Sequence, residues 1–170
     1  MSSAEVSREA SDPTVLALVN SLSLLQPDRV VESAWLQHIP FAFWLVSALE
    51  PRRVVELGVH RGASLAAFCQ ASHYLALEPD VVGVDTWEGD AHTGEYGQEI
   101  FDELNQYISR FDFPVRLLRQ RFSEALSGIE DCSIDLLHID GLHTYAAVEE
   151  DFRTWLPKLS MRGVIVFHDI

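Results

Sequence analysis

The chain has 170 residues, of which 48% are hydrophobic and 22% charged, a composition typical of one globular domain. Its net charge of −14 argues against nucleic acid as a partner, because phosphate binding requires a concentrated basic surface. No apolar run reaches the ~20 residues that span a bilayer, so we expect no membrane contact. The two cysteines lack the spacing of metal ligands and favour a reduced, cytoplasmic protein.

The N-terminal part is predicted to be a short disordered segment followed by helices. Residues 1–11 have neither a basic start nor an apolar centre, so we do not expect them to be a signal peptide. Asp12 and Pro13 favour a helix start, and a second helix is expected over about 33–49. We expect residues 12–50 to form a helical cap on a domain spanning residues 51–170.

From Arg52 onward, predicted strands alternate with predicted helices. The strands are expected at 53–57, 81–85, 115–118, 134–139 and 164–167, and the helices at 63–72, 97–109, 123–126 and 145–156. The strands are nearly continuous apolar runs, as in parallel sheets covered by helices on both faces. The sequence therefore predicts an α/β fold, a Rossmann-like doubly wound parallel sheet in three αβα layers, ending after strand five.

Helical spacing in the last predicted helix separates an apolar stripe from a charged face. The stripe is predicted to be buried and comprises Tyr145, Val148, Phe152 and Trp155. The charged face is predicted to be exposed to solvent and comprises Glu149, Glu150 and Asp151.

The turn after the first strand carries Glu56-Leu57-Gly58 and Gly62-Ala63-Ser64. Gly58 permits a sharp turn close to a ligand, and Gly62 permits a tight helix start. A dinucleotide site requires a glycine where this chain has Glu56. A carboxylate there would repel a pyrophosphate, but it would attract a cationic amino-acid moiety.

Asp85 closes the second strand, where an acidic side chain is placed to accept hydrogen bonds from both ribose hydroxyls. Together with Glu56, it predicts a ligand that is a nucleoside without phosphates, joined to a positively charged group. S-adenosylmethionine (SAM) meets that description.

Two further motifs follow the later strands: the segment from Asp140 to Tyr145 (DGLHTY) and Phe167-His168-Asp169. With the Glu56 and Asp85 segments, they resemble the class I SAM-dependent methyltransferases over residues 52–170, in particular small O-methyltransferases of sugar and natural-product pathways. The resemblance implies a set of SAM-binding residues, with Ser123 near the adenine. They are Glu56, Gly58, Gly62, Ser64, Asp85, Thr86, Ser123 and Asp140.

The predicted catalytic residues are His143 and Asp140. A histidine titrates near neutral pH and suits removal of a proton from an acceptor hydroxyl. Alternatively, Asp140, Asp169 and the adjacent His168 hold Mg²⁺, which lowers the hydroxyl pKa; the resemblance to metal-dependent relatives implies such a site. His138, inside a strand, is predicted to be a core histidine.

The expected acceptor is a sugar, a glycan or a small hydroxylated metabolite. The predicted loop 86–97 carries Trp87 and Tyr96, whose flat faces suit sugar rings. The alternative is a non-catalytic SAM-binding module, or half of a larger enzyme.

The fifth strand is expected to be an exposed apolar edge, because class I methyltransferases usually have two further strands beside it. We expect a homo-oligomer that pairs through this edge, a partner that supplies the missing strands, or a longer chain.

Overall fold

Five parallel strands form the centre of the chain, here in a computed structural model that describes residues 20–89 and 97–169. They are β1 (Arg53–Leu57), β2 (Asp80–Asp85), β3 (Val115–Arg119), β4 (Ile134–Ile139) and β5 (Leu159–Phe167). Their order in the sheet is β3-β2-β1-β4-β5, and every neighbouring pair is parallel. The predicted doubly wound sheet is confirmed.

Within the described residues, five α-helices connect or flank the strands. They are α1 (Ile39–Leu49), α2 (Ala63–Tyr74), α3 (Gln98–Ile108), α4 (Phe122–Ala125) and α5 (Tyr145–Trp155). No helix in these parts of the chain is both long enough and apolar enough to cross a membrane. The helix predicted to start at Asp12 lies outside the described residues, and the division into residues 12–50 and 51–170 stays a prediction.

The second predicted helix begins differently from the expectation. Its first turn, Ala34–His38, is a 3₁₀ turn capped by the Ser33 side chain, which accepts a hydrogen bond from the Trp35 backbone N–H. The α-helix starts only at Ile39, with Pro40 in its first turn, where the missing N–H costs no intrahelical hydrogen bond.

Helices cover both faces of the sheet, because side chains alternate along each strand. Val54, Val81 and Leu136 belong to one buried cluster, which includes residues of α1, α2 and α3. Their strand neighbours Val55, Val82 and Leu137 belong to the other, which includes Ala125 and Trp155. The three predicted layers are thus present, and they leave the carboxyl ends of the strands at one edge.

The far side of β5 has no neighbouring strand among the described residues, and its apolar side chains are half buried or, at Met161, fully exposed. On α5, Trp155 is buried as predicted, but Tyr145 is 83% exposed. Tyr145 was therefore wrongly assigned to the buried stripe. It lines a groove of about 530 Å³ together with Phe152 and Phe167. Pairing of two copies through β5 stays a prediction.

Candidate active site

A cavity of about 1060 Å³ opens beyond the carboxyl ends of the strands, where ligands bind in doubly wound sheets. All but two of the predicted site residues line it. These are Gly58, Ser64, Asp85, Thr86, Ser123, Asp140, His143, His168 and Asp169. Glu56 and Gly62 do not line the cavity, and their part in cofactor binding stays a prediction.

The two glycines of the β1–α2 turn are required by packing of the chain itself. Gly58 has φ +86°, and a Cβ there would lie 2.0 Å from the backbone oxygen of Asp140. Gly62 has φ +77°, and a Cβ there would lie 2.4 Å from the Leu104 side chain. The overlap with backbone excludes a side chain at Gly58, whereas at Gly62 the positive φ disfavours one. Gly58 also brings the β1 turn against the loop after β4.

Asp85 holds the β1–α2 turn in place through its carboxylate. One oxygen accepts hydrogen bonds from the backbone N–H groups of Val59 and His60, both at 2.9 Å, and the other accepts from Trp87 N–H at 2.7 Å. His60 and Trp87 have left-handed backbone conformations, at φ 49° and 51°, which non-glycine residues rarely adopt. Sequence reasoning missed this positioning role, because it joins a side chain to backbone groups distant in sequence.

Trp87 does not offer a face to an acceptor, contrary to the prediction. Its side chain is fully buried, its indole N–H donates to the His60 carbonyl at 3.0 Å, and it packs edge-on against Phe101. The remainder of the predicted acceptor loop, residues 90–96 with Tyr96, lies outside the described residues.

Glu56 is fully buried behind the cavity wall. Its Oε1 accepts a hydrogen bond from the Ser64 hydroxyl and lies 3.5 Å from His138 Nδ1, while Oε2 has no hydrogen-bond partner among the described residues. Burial raises the pKa of Glu56, although the contacts with His138 and Ser64 oppose this change. A cation in the cavity beside Ser64 would therefore stabilise the ionised form.

His138 is buried in β4, as predicted for a core histidine. Its Nε2 lies 3.1 Å from the indole nitrogen of Trp35. Since an indole N–H only donates, Nε2 must accept, and a neutral ring then carries its proton on Nδ1, facing Glu56. The sequence could not reveal this contact, because Trp35 and His138 are 103 residues apart.

Two imidazole rings converge on one carboxylate oxygen at the other end of the cavity. Asp140 Oδ1 lies 3.2 Å from His143 Nε2 and 3.2 Å from His168 Nδ1. His143 Nδ1 lies 4.0 Å from Asp169 Oδ2. The structure thus brings together the four residues predicted for catalysis and metal binding.

The geometry of this cluster does not support the predicted metal site. Residues 20–89 and 97–169 contain no group of three or more His, Cys, Asp or Glu side chains arranged to hold a metal ion. Asp140 Oδ1 instead faces the two imidazole nitrogens. The prediction of Mg²⁺ on Asp140, Asp169 and His168 is therefore without support here.

The match to a known family covers most of the chain. Residues 55–170 match a family model described as a methyltransferase domain. The chain belongs to this methyltransferase family.

One curated relative of this methyltransferase is an uncharacterized protein, y4gI, of Sinorhizobium fredii. The two are 54% identical over 140 residues, which is 81% of this chain but 15% of the relative. The chain thus spans less than a sixth of the relative's length.

Solved structures share the fold of this methyltransferase. The SAH-bound methyltransferase PaMTH1 of Podospora anserina has a TM-score of 0.59 and 18% identity, covering 98% of this chain and 72% of that chain. The O-methyltransferase TomG of Streptomyces achromogenes, in complex with SAM, has a TM-score of 0.55 and 18% identity, covering 83% and 57%. At these identities the likeness concerns the fold.

The cavity of the methyltransferase also contains residues that sequence reasoning did not select. They are Glu32, Ser33, Ala34, Leu36, Val59, His60, Arg61, Ala63, Gly89, Arg121, Phe122, Gly141, Leu142, Glu150 and Asp151.

Asp151 was assigned to the solvated face of α5, but it is half buried. Burial together with nearby Glu150 raises its pKa to about 6. The helical pattern does not separate Asp151 from Glu149, because only the placement of α5 against the cavity distinguishes them.

Proposed function

We propose that this methyltransferase binds SAM and transfers its methyl group to a hydroxyl of a sugar, a glycan or another small hydroxylated molecule. One observation carries the proposal: a single cavity joins Ser64, backed by the buried Glu56 carboxylate, to the imidazole–carboxylate cluster of His143 and Asp140. The first group suits a cationic amino acid, and the second suits proton removal.

The residues present fit SAM. The cation of its amino-acid moiety would face the Ser64 oxygen, with the orphaned acceptor Oε2 of Glu56 behind it. Asp85 and Thr86 would lie along the ribose, and Ser123 beside the adenine. The volume of about 1060 Å³ is at the upper end of small-molecule sites and leaves space for an acceptor.

When bound, SAM supplies a methyl group on a sulfonium, which an oxygen nucleophile attacks in line. The acceptor hydroxyl must lose its proton during this attack. Because Asp140 Oδ1 accepts from His143 Nε2–H, the lone pair of His143 lies on Nδ1. His143 Nδ1 would take the proton, and the carboxylates of Asp140 and Asp169 would stabilise the resulting imidazolium.

The acceptor class rests on the carboxylate and hydroxyl side chains in the cavity lining and on the likeness to TomG, an O-methyltransferase.

A second function, a SAM-binding module without turnover, is favoured by one observation. Both ring nitrogens of His143 already face carboxylate oxygens within 4.0 Å, so substrate must displace one contact before the ring can act as a base.

Calorimetry with S-adenosylhomocysteine (SAH), the demethylated product, tests cofactor binding. We expect one binding site per chain and no binding of NADH, whose pyrophosphate Glu56 disfavours. A folded chain that binds no SAH would contradict the proposal.

Methyl transfer from labelled SAM to a panel of sugars and phenols tests turnover. We expect His143→Ala to lower the rate by roughly 10²–10⁴-fold and to leave SAH affinity within about twofold. His73→Ala is the matched control, because His73 lies on α2 and does not line the cavity. Normal transfer by His143→Ala would exclude His143 as the base, whereas SAH binding without transfer by the unsubstituted chain would favour the binding module.

A further inference from the structure

Trp35 lies outside the region that matches the methyltransferase family model. It nevertheless contacts His138, the buried histidine beside Glu56. Its side chain is 2% exposed and packs edge-on against Phe68 and His138, with ring centroids 5.9 and 4.9 Å apart. Its neighbours Ser33 and Ala34 line the cavity itself. Trp35 therefore connects the N-terminal segment to the wall of the cavity.

The indole N–H of Trp35 determines which ring nitrogen of His138 carries the proton. The indole N–H donates to His138 Nε2 at 3.1 Å, which leaves the His138 proton on Nδ1. His138 Nδ1 lies 3.5 Å from Glu56 Oε1, which is long for a hydrogen bond, so its N–H acts on the carboxylate as a nearby partial positive charge. The same oxygen accepts a hydrogen bond from the Ser64 hydroxyl. Both N–H and O–H groups therefore lie on the Oε1 side of Glu56.

The consequence appears at the cavity surface. Because the Ser64 proton is directed at Glu56, the Ser64 oxygen keeps its lone pairs for the cavity that it lines. If the His138 ring took the other tautomer, its Nδ1 lone pair would face the Glu56 carboxylate, and the two acceptors would repel each other. The indole N–H of Trp35 excludes that tautomer, since Nε2–H would then face N–H.

We propose that Trp35 and His138 are positioning residues that orient Glu56 and Ser64, so that Ser64 presents an acceptor to the ammonium group of the SAM amino-acid moiety. The proposal rests on the proposed function, because it concerns the same site. It predicts that these two side chains affect binding of the amino-acid half of the ligand and leave the nucleoside half unchanged.

Calorimetry with two ligands tests this selectivity: SAH, and adenosine, which lacks the amino-acid half. Trp35→Phe keeps an aromatic ring but removes the N–H, and we expect it to weaken SAH binding about 3–10-fold. His138→Leu is expected to weaken SAH binding about 10–30-fold, and His138→Asn, whose amide N–H can still reach Glu56, to recover most of that loss. Adenosine affinity is expected to stay within about twofold in all three.

Phe68→Leu is the matched control, because Phe68 packs on Trp35 and His138 only through its ring. A merely structural role would lower the affinities for SAH and adenosine by the same factor, as we expect for Phe68→Leu. Equal losses for both ligands in Trp35→Phe and His138→Leu, or unchanged SAH affinity in both, would overturn the proposal.

A measurement on the unsubstituted chain covers the case in which a variant does not fold. Nitrogen-15 NMR of the histidine rings is expected to show His138 with its proton on Nδ1 and an unprotonated Nε2. A protonated Nε2 would overturn the proposal. If the folded, unsubstituted chain binds no SAH, the proposed function fails as well, whereas SAH binding with unselective variants refutes only the role of Trp35 and His138.

Discussion

The two ends of the cavity differ in how much solvent reaches their carboxylates. At the end proposed to bind the cofactor (the cofactor end), Glu56 and Asp85 are 0% and 7% exposed, and each accepts hydrogen bonds from the chain itself. At the end proposed to bind the acceptor (the acceptor end), the side chains of Asp140, His143 and Asp169 are 18%, 31% and 53% exposed. The first set is held by strand ends and buried hydrogen bonds, and the second by contacts at the surface.

This difference indicates which part of the site is formed by folding. The buried carboxylates organise the β1–α2 turn before any ligand binds, so the cofactor end is preorganised. The exposed imidazoles and carboxylates at the acceptor end are the groups that a bound acceptor can displace. Substitutions at the cofactor end should therefore change the stability of the protein. Substitutions at the acceptor end should instead change the rate of methyl transfer or its pH dependence.

The largest effect is expected for Gly58, which packs the turn of the cofactor end against the loop that carries Asp140. Gly58→Ala places a Cβ 2.0 Å from the Asp140 backbone oxygen, at a φ of +86°. We expect a loss of roughly 3 kcal/mol or more in the free energy of unfolding, about 10 °C in Tm for a chain of this size, and loss of SAH binding. Gly128→Ala is the control, because a Cβ there meets nothing within 4 Å. An unchanged Tm for Gly58→Ala, measured by circular dichroism, would show that the ends are not in contact.

Asp85→Asn tests the preorganised end alone. The substitution replaces an acceptor of three backbone hydrogen bonds by an amide whose NH₂ cannot accept. We expect a loss of about 2–3 kcal/mol in unfolding free energy and at least about tenfold weaker SAH binding. Thermal unfolding measures the change in stability, and calorimetric titration measures the change in SAH affinity. Asp112→Asn is the control, because Asp112 is exposed and does not line the cavity. Full stability of Asp85→Asn would contradict the positioning role.

Glu56→Gln separates stability from binding. The folded-state pKa of Glu56 lies above its ordinary value of 4.5, so its stabilising contribution is present below pH 4.5 and is lost as pH rises through the raised pKa. At pH 7 we expect Glu56→Gln to be more stable than the unsubstituted chain by about 1 kcal/mol, or roughly 2–4 °C, yet to bind SAH more weakly. The stability difference should vanish near pH 4. A Glu56→Gln chain that is less stable at pH 7 would indicate that burial does not penalise the ionised group.

The smallest effect is expected at half-buried Asp151. Its pKa of about 6 lies above the ordinary 3.8, so its contribution to stability is present below pH 3.8 and is lost between about pH 4 and 6. Solvent screening reduces the effect to less than about 1 kcal/mol. Asp151→Asn should remove this part of the pH dependence of Tm, and Asp112→Asn, at an exposed position, should not. Identical pH profiles for Asp151→Asn and the unsubstituted chain would place Asp151 in full contact with water.

Local patterns were sufficient to predict most of the fold. The apolar runs that became β1 and β4 were predicted with the bounds that the structure has, because a buried parallel strand leaves a continuous apolar signal. The start of β5 was placed too late, since Ser160 and Arg162 interrupt its apolar run while the pairing with β4 begins at Leu159. Tyr145 was misassigned because helical spacing identifies an apolar face but not what covers it.

The sequence alone determined the layered α/β architecture and the edge at which the cavity opens, because strand periodicity and turn glycines are local properties. Only the tertiary structure decided which carboxylates are buried and what each one contacts. Glu56 meets His138, and Trp35 meets the same ring, across long sequence separations, so their roles depend on packing of the sheet and the N-terminal segment. Desolvation and hydrogen bonding act through space, and no spacing along the chain records them.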